Sequence, residues 1–248
     1  VKNISDLRGT TQRENSNEEK LVGKIGQVPS EELLYNLPLF LSPKLLSRIL
    51  FFNEMYKKII NHHGVIMEFG VRWGPILNLF QSLRGIYEPF NRHRKIIGFD
   101  TFEGFTEVTD YDRISKEGDF AVTDGYEEQL EEILSIQEQF SPLDHIKKFE
   151  IIKGDIIETL PKYLEENKHT IVSLVFFDLD IYKPTLESLK NIKPYLTEGS
   201  IMVFDELCDD KFPGETMALD EVFGLNNLKI KRLPITSRIS YVEVKNVK

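Results

Sequence analysis

Phe176–Leu189 reads FFDLDIYKPTLESL, and further on Ile201–Leu207 reads IMVFDEL. Each begins as an unbroken apolar run, the pattern of a strand buried on both faces of a parallel sheet. Each run ends in acids, Asp178 and Asp180 in the first and Asp205 and Glu206 in the second. Neighbouring parallel strands would bring all four to one edge. Carboxylates that close repel one another unless a cation lies among them. The pair of runs therefore predicts an α/β fold holding a divalent ion at the carboxyl edge of its sheet, where such folds keep their ligands.

Outward from this pair, strands and helices alternate. Strands are expected at Val65–Phe69, Lys95–Phe99, Phe149–Lys153, Val172–Phe177 and Ser200–Phe204. Helices are expected at Pro75–Tyr87, Gly125–Phe140, Leu160–Asn167, Lys183–Tyr195 and Pro213–Phe223. The last two strands, Leu228–Leu233 and Ile239–Val244, flank a short loop and read as an antiparallel hairpin at a sheet edge. The stretch from Thr101 to Gly125 has no period and follows a strand end, which suits a substrate-facing loop. Residues 1–27 are polar, with NSNEEK, and read as a frayed arm or a flap. A short helix follows from Ser30 and a longer one runs from Pro43 to about Asn61. The expected division is an arm and helical cap at 1–61 and a catalytic domain at 62–248.

Bulk properties narrow the class. The 248 residues carry a net charge of −9, which argues against nucleic acid as a partner. No apolar run approaches the ~20 residues that span a bilayer. One cysteine, Cys208, permits no internal disulfide and fits a reducing, cytoplasmic setting. The first residue is Val1 rather than Met, so the lack of a leader-like stretch carries little weight.

The first strand runs into EFGVRWG, with Glu68, Gly70 and Gly74 at a strand-to-helix turn. Glycines there let a ligand approach the backbone, although a plain tight turn uses them equally well. The second strand ends in Asp100, placed to accept hydrogen bonds from ribose hydroxyls. The third ends in Gly154 and Asp155, where a polar side chain would meet an adenine edge. Phe102 and Glu103 would line an adenosine pocket, and Trp73 either packs on the ligand or fills the core. A dinucleotide fingerprint needs G-x-G-x-x-G. Here the spacing is Gly70-x-x-x-Gly74, and Glu68 would repel a pyrophosphate but suit the ammonium of a methionine moiety. The turn thus leans to S-adenosylmethionine over a nicotinamide dinucleotide.

Taken in order, E-x-G-V-x-x-G, D-T-F-E-G-F, D-x-D-x-Y-x-x-T and P-G-E-T-M-A-L-D-E-V-F resemble the macrocin O-methyltransferase (TylF-type) family, over about Met67 to Phe223. The resemblance implies a Rossmann-like class I methyltransferase, with a seven-stranded, mostly parallel sheet, helices on both faces and an N-terminal helical cap. It implies a metal-dependent transfer from S-adenosylmethionine to a hydroxyl of a sugar or glycosylated natural product, often by a homo-oligomer. On that pattern Asp178, Asp205 and Glu206 hold Mg²⁺ or another divalent cation, and Asp180 is the general base. Two positions depart from it. Leu179 stands where the family has Gly, and Glu206-Leu207 where it has Asp-Tyr; the extra methylene of Glu shifts a ligand oxygen by about 1 Å.

Alternatives stay open from the residues alone. Asp180 could instead cap the Tyr182–Thr185 turn, and Asp209 or Asp210 could replace Glu206 as ligand. The run Asn91–Lys95 precedes a strand and reads as solvated surface. A catechol-type enzyme acting on an aromatic diol would use the same parts, and a non-catalytic adenosine-ligand-binding protein would keep the fold without the metal.

Overall fold

The computed structural model describes residues 11–245. Compactness divides the chain after Leu50 into two units. In the smaller, α1 spans Gln12–Ile25, α2 spans Ser30–Asn36, and a 3₁₀ turn covers Leu37–Phe40. The expected frayed arm is thus helical from Gln12; its first ten residues lie outside the described ones. The reason is local. Thr11 and Glu14 form a reciprocal capping box, in which the Thr11 amide donates to Glu14 Oε2 at 2.7 Å. No residue of α1, α2 or the 3₁₀ turn is buried.

Helix α3, Pro43–Ile59, gives its second half to the larger unit. Phe51, Phe52, Met55, Tyr56 and Ile59 have no exposed surface, and their burial sets the division at Leu50 rather than at Asn61. The larger unit continues with β1 Val65–Phe69, α4 Pro75–Tyr87, β2 Ile96–Asp100, α5 Tyr126–Glu138, β3 Phe149–Lys153 and α6 Ile156–Glu166. Then come β4 Val172–Phe177, α7 Tyr182–Ile192, β5 Leu196–Phe204, α8 Gly214–Phe223, β6 Ile230–Arg232 and β7 Ser240–Glu243.

The strands form one seven-stranded sheet in the order β3-β2-β1-β4-β5-β7-β6. It is the Rossmann-like methyltransferase arrangement, with β7 antiparallel to both its neighbours. Consecutive residues of β4 face opposite layers. Phe176 packs with Phe52, Phe80 and Leu130 beneath α3, α4 and α5, whereas Phe177 packs with Phe204, Leu160 and Leu189 beneath α6, α7 and α8. Both faces of β4 are buried, which is why it is apolar without alternation.

Register sets the active edge. Phe69 pairs with Phe99 and Phe177, and Phe177 pairs with Phe204, so the strands end level. Gly70, Asp100, Asp178 and Asp205 follow at that rim. Helix α6 begins at Ile156, earlier than the expected Leu160, because Asp155 caps it; the Ile157 amide donates to Asp155 Oδ1 at 2.9 Å.

One basic residue departs from the surface reading. Arg92, His93 and Lys95 are exposed, but Arg94 is 1% exposed. Its guanidinium donates to the carbonyls of Ile59 and His62 at 2.8 Å, to Ser173 Oγ at 2.7 Å and to Glu88 at 2.8 Å. It satisfies the carbonyl end of α3 and neutralises Glu88, two needs that a buried fork can meet together. Among the described residues, no helix is long and apolar enough to cross a membrane.

Candidate active site

The acids converge as the two apolar runs imply. The Asp178 amide donates to Phe69 O at 2.8 Å and the Asp205 amide to Phe177 O at 3.2 Å, carrying the ladder one residue past each strand. One oxygen each from Asp178, Asp205 and Glu206 lie within 4.8 Å of one another. Asp205 and Glu206 are buried, as is Asp180, which sits in the left-handed region at φ 61°.

The Tyr182 amide, which opens α7, is capped by Asp112, whose Oδ1 accepts it at 2.7 Å while its Oδ2 accepts the Thr109 amide and hydroxyl at 2.6 and 2.8 Å. Asp209 is outside the converging trio; its Oδ1 accepts the Lys211 amide at 2.8 Å.

At the end of β1, the two glycines serve the chain's own packing. A Cβ on Gly70 would stand 1.9 Å from the carbonyl oxygen of Asp178, and φ there is 89°. The β1–α4 turn therefore lies directly against the acidic corner. Gly74, at φ 75°, would strike Leu130. Glu68 is buried one turn of the pleat earlier. Asp100 closes the same turn from β2, with Oδ2 accepting the Arg72 amide at 2.7 Å and Oδ1 the Phe102 amide at 2.5 Å. Burial pushes the Asp100 carboxyl above its usual range, against the pull of the Arg72, Phe102 and Val71 amides. Phe102 is core, 4% exposed, at φ 60°. Asp155 spends one oxygen on its helix and accepts the Thr106 hydroxyl on the other at 3.0 Å. Trp73 is not core; it is 41% exposed and stands edge-on to Tyr126 at 4.6 Å.

No family model matches the chain, and neither does any curated protein. Solved structures do. A crystal structure of CalS11, a calicheamicin methyltransferase, is 41% identical, covers 94% of this chain and 93% of its own, and superposes at a TM-score of 0.92. An apo structure of CalS11, described as a TDP-rhamnose 3'-O-methyltransferase, is 38% identical over 94% of this chain and 95% of its own, at 0.85. The chain belongs to the class I methyltransferase family. The O-methyltransferase NovP, 20% identical over 79% of each chain at a TM-score of 0.63, shares the methyltransferase fold.

The methyltransferase also brings to the corner two residues that the strand-end pattern does not flag. Glu215, at the start of α8, has no exposed surface, and its Oε2 accepts the Glu206 amide at 3.2 Å. Arg238 pairs with Glu206 Oε1 and lies 3.8 Å from Asp205 and Asp209. Glu215 was visible within P-G-E-T-M as an acid in the first turn of a helix. Arg238 needed the pairing of the last strand, since only an antiparallel β7 returns its leading loop to the carboxyl edge.

Five carboxyl groups and an arginine meet in this corner. Asp178, Asp180, Asp205, Glu206 and Glu215 face one another with Arg238 as counterion. Burial first, then the charge of Asp180 and a hydrogen bond shared with it, then the charges of Asp205 and Glu215, push the Glu206 carboxyl well above the usual carboxylate range. Glu215 is raised for the same reason, with Asp180 its strongest neighbour. Glu206 Oε2 and Glu215 Oε1 are buried oxygens with no hydrogen-bond donor among the described residues. Carboxylate oxygens this close together fit a hard divalent ion such as Mg²⁺.

Proposed function

We propose that this methyltransferase moves the methyl group of S-adenosylmethionine to a hydroxyl of a sugar, with a divalent cation held by Asp178, Asp205 and Glu206. The observation that carries the reading is the contact between Gly70 and the Asp178 carbonyl, which sets a methyltransferase's glycine turn beside the corner where Asp178, Asp205 and Glu206 converge. Methyl donor and acceptor oxygen would then meet with little reorganisation, and holding two reactants in line supplies much of such a rate.

Each residue has a part. Glu68 would face the methionine ammonium, and the Gly70–Gly74 turn would shape the bed of that moiety. Asp100 would accept ribose hydroxyls on the lone pairs its two amide donors leave, since a carboxylate offers about four acceptor sites. Phe102 would wall the adenosine side, and Asp155 would stand at the adenine edge while capping α6. When bound, the ion supplies Lewis acidity toward a hydroxyl that is otherwise a poor nucleophile. Asp180 would take the hydroxyl proton; its strained backbone at φ 61° keeps the side chain among the acids rather than on the helix start that Asp112 caps.

Sugar is favoured over an aromatic diol because the 38% identical relative is named for a 3'-hydroxyl of TDP-rhamnose. The motif set quoted from Met67 to Phe223 supports the narrower macrocin-type grouping. We place the enzyme in the cytoplasm, acting on small molecules, as its charge of −9 and single cysteine suggest. The test is turnover of S-adenosylmethionine with nucleotide-linked deoxysugars, glycosides and catechol offered in parallel. Methyl transfer to a sugar, stopped by EDTA and restored by Mg²⁺, is expected. Transfer to catechol alone, or indifference to chelation, would refute the reading.

A further inference from the structure

Glu206 is held at two points. Its amide donates to Glu215 Oε2 at 3.2 Å, and its carboxylate Oε1 meets the Arg238 guanidinium. Its second oxygen, Oε2, is buried and has no hydrogen-bond donor among the described residues. The carboxylate is thus divided, one oxygen tied to an arginine and the other left toward the acids.

The fold builds this contact rather than leaving it to a flexible side chain. In the β5–β7 pairing Phe204 lies opposite Ser240. Continued past the strand ends, the same antiparallel register sets Arg238 opposite Glu206. The guanidinium also lies over the ring of Phe212, 5.7 Å from its centroid, and Phe212 is buried. An aromatic face on one side and carboxylates on the other restrict where the fork can point. The Arg238 side chain is 32% exposed, against 3% for Glu206, so it enters the corner from its open side.

We propose that Arg238 is a positioning residue for the metal site: by holding Oε1 of Glu206 it aims Oε2 at the cation shared with Asp178 and Asp205. The proposal rests on the metal reading above. Two effects of the arginine oppose each other. Its positive charge repels a cation, whereas its hydrogen bonds fix the rotamer of a ligand that has one more rotatable bond than Asp. The direct contact is with Glu206, and the distances to Asp205 and Asp209 are 3.8 Å, so the orienting effect falls on one ligand and prevails. Partners that orient a metal ligand typically contribute about 10- to 100-fold in metal affinity.

The experiment titrates Mn²⁺ into purified, chelator-stripped enzyme and reads free Mn²⁺ by electron paramagnetic resonance, without acceptor or turnover. Wild type, Arg238→Met and Arg238→Lys are compared, with S-adenosylhomocysteine affinity and thermal melts measured alongside. Arg238→Met should bind Mn²⁺ about 10- to 100-fold more weakly, and Arg238→Lys should fall between it and wild type. S-adenosylhomocysteine affinity should stay within a few-fold. Equal or tighter Mn²⁺ binding by Arg238→Met would overturn the positioning role and leave the metal site standing. If Arg238→Met fails to fold, Arg238→Lys decides, and wild-type affinity in it overturns the proposal. A wild-type enzyme that binds no Mn²⁺ would remove the metal reading and this role together.

Discussion

Single residues at the strand ends separate binding from chemistry. Asp178 contributes its main chain to the Gly70 contact and its side chain to the acidic trio. Asp178→Asn keeps the shape and removes the charge. Turnover should fall by at least 100-fold while S-adenosylmethionine affinity, read by calorimetry, stays within a few-fold; comparable loss of both would mean that the two functions are not divided. Gly70→Ala attacks the other half of the contact. With φ at 89° and a backbone oxygen 1.9 Å from the new Cβ, it should destabilise the fold by about 1–3 kcal/mol or more, seen as a lowered denaturation midpoint. An unchanged midpoint would show that the turn can yield. Most of this corner was readable from residues because two neighbouring apolar runs each close in a pair of acids, which a lone cap such as Asp155 does not. Arg238 was not readable, since its partner Glu206 is distant in sequence and the pairing depends on strand direction.

Elements show where pattern stops informing. Strand β4 and helix α4 begin and end where their apolar runs do, since both are defined by burial. Helix α6 starts early because a cap, rather than periodicity, sets its first turn. Helix α1 was missed because its first nine residues, Gln12 to Lys20, are all polar, and none of its residues is buried to mark a period. The long loop after β2 carried no period, yet Asp112 ties it to the start of α7 through Tyr182, and Lys183 reaches back to Glu107 at 2.5 Å. Asp112→Ala would leave the Tyr182 amide and the Thr109 turn without their acceptor. It should cost about 1 kcal/mol in stability. If the loop frames the acceptor, KM for the sugar should rise several-fold with little change in S-adenosylmethionine affinity. An unmoved KM would take the loop out of acceptor binding.

At the scale of the whole molecule, the acidic corner is a liability that a ligand relieves. Folding crowds Asp178, Asp180, Asp205, Glu206 and Glu215 together, and the unfolded chain does not. A cation that binds the folded state alone stabilises it by mass action, by about 2.7 kcal/mol at a hundredfold excess over its Kd. Stripping the protein with EDTA should therefore lower its Tm by several degrees, and Mg²⁺ should restore it in a concentration-dependent way. Na⁺ at matched ionic strength should not, because screening falls mainly on exposed charges. A Tm indifferent to both would mean that Arg238 and bound protons already balance the corner.

The most direct measurement is an anomalous difference map from crystals soaked with Mn²⁺ and S-adenosylhomocysteine. One strong peak coordinated by Asp178, Asp205 and Glu206, beside the sulfur of the bound product, is the predicted result. Density for S-adenosylhomocysteine with no peak among those three carboxylates, or a peak held elsewhere, would contradict it.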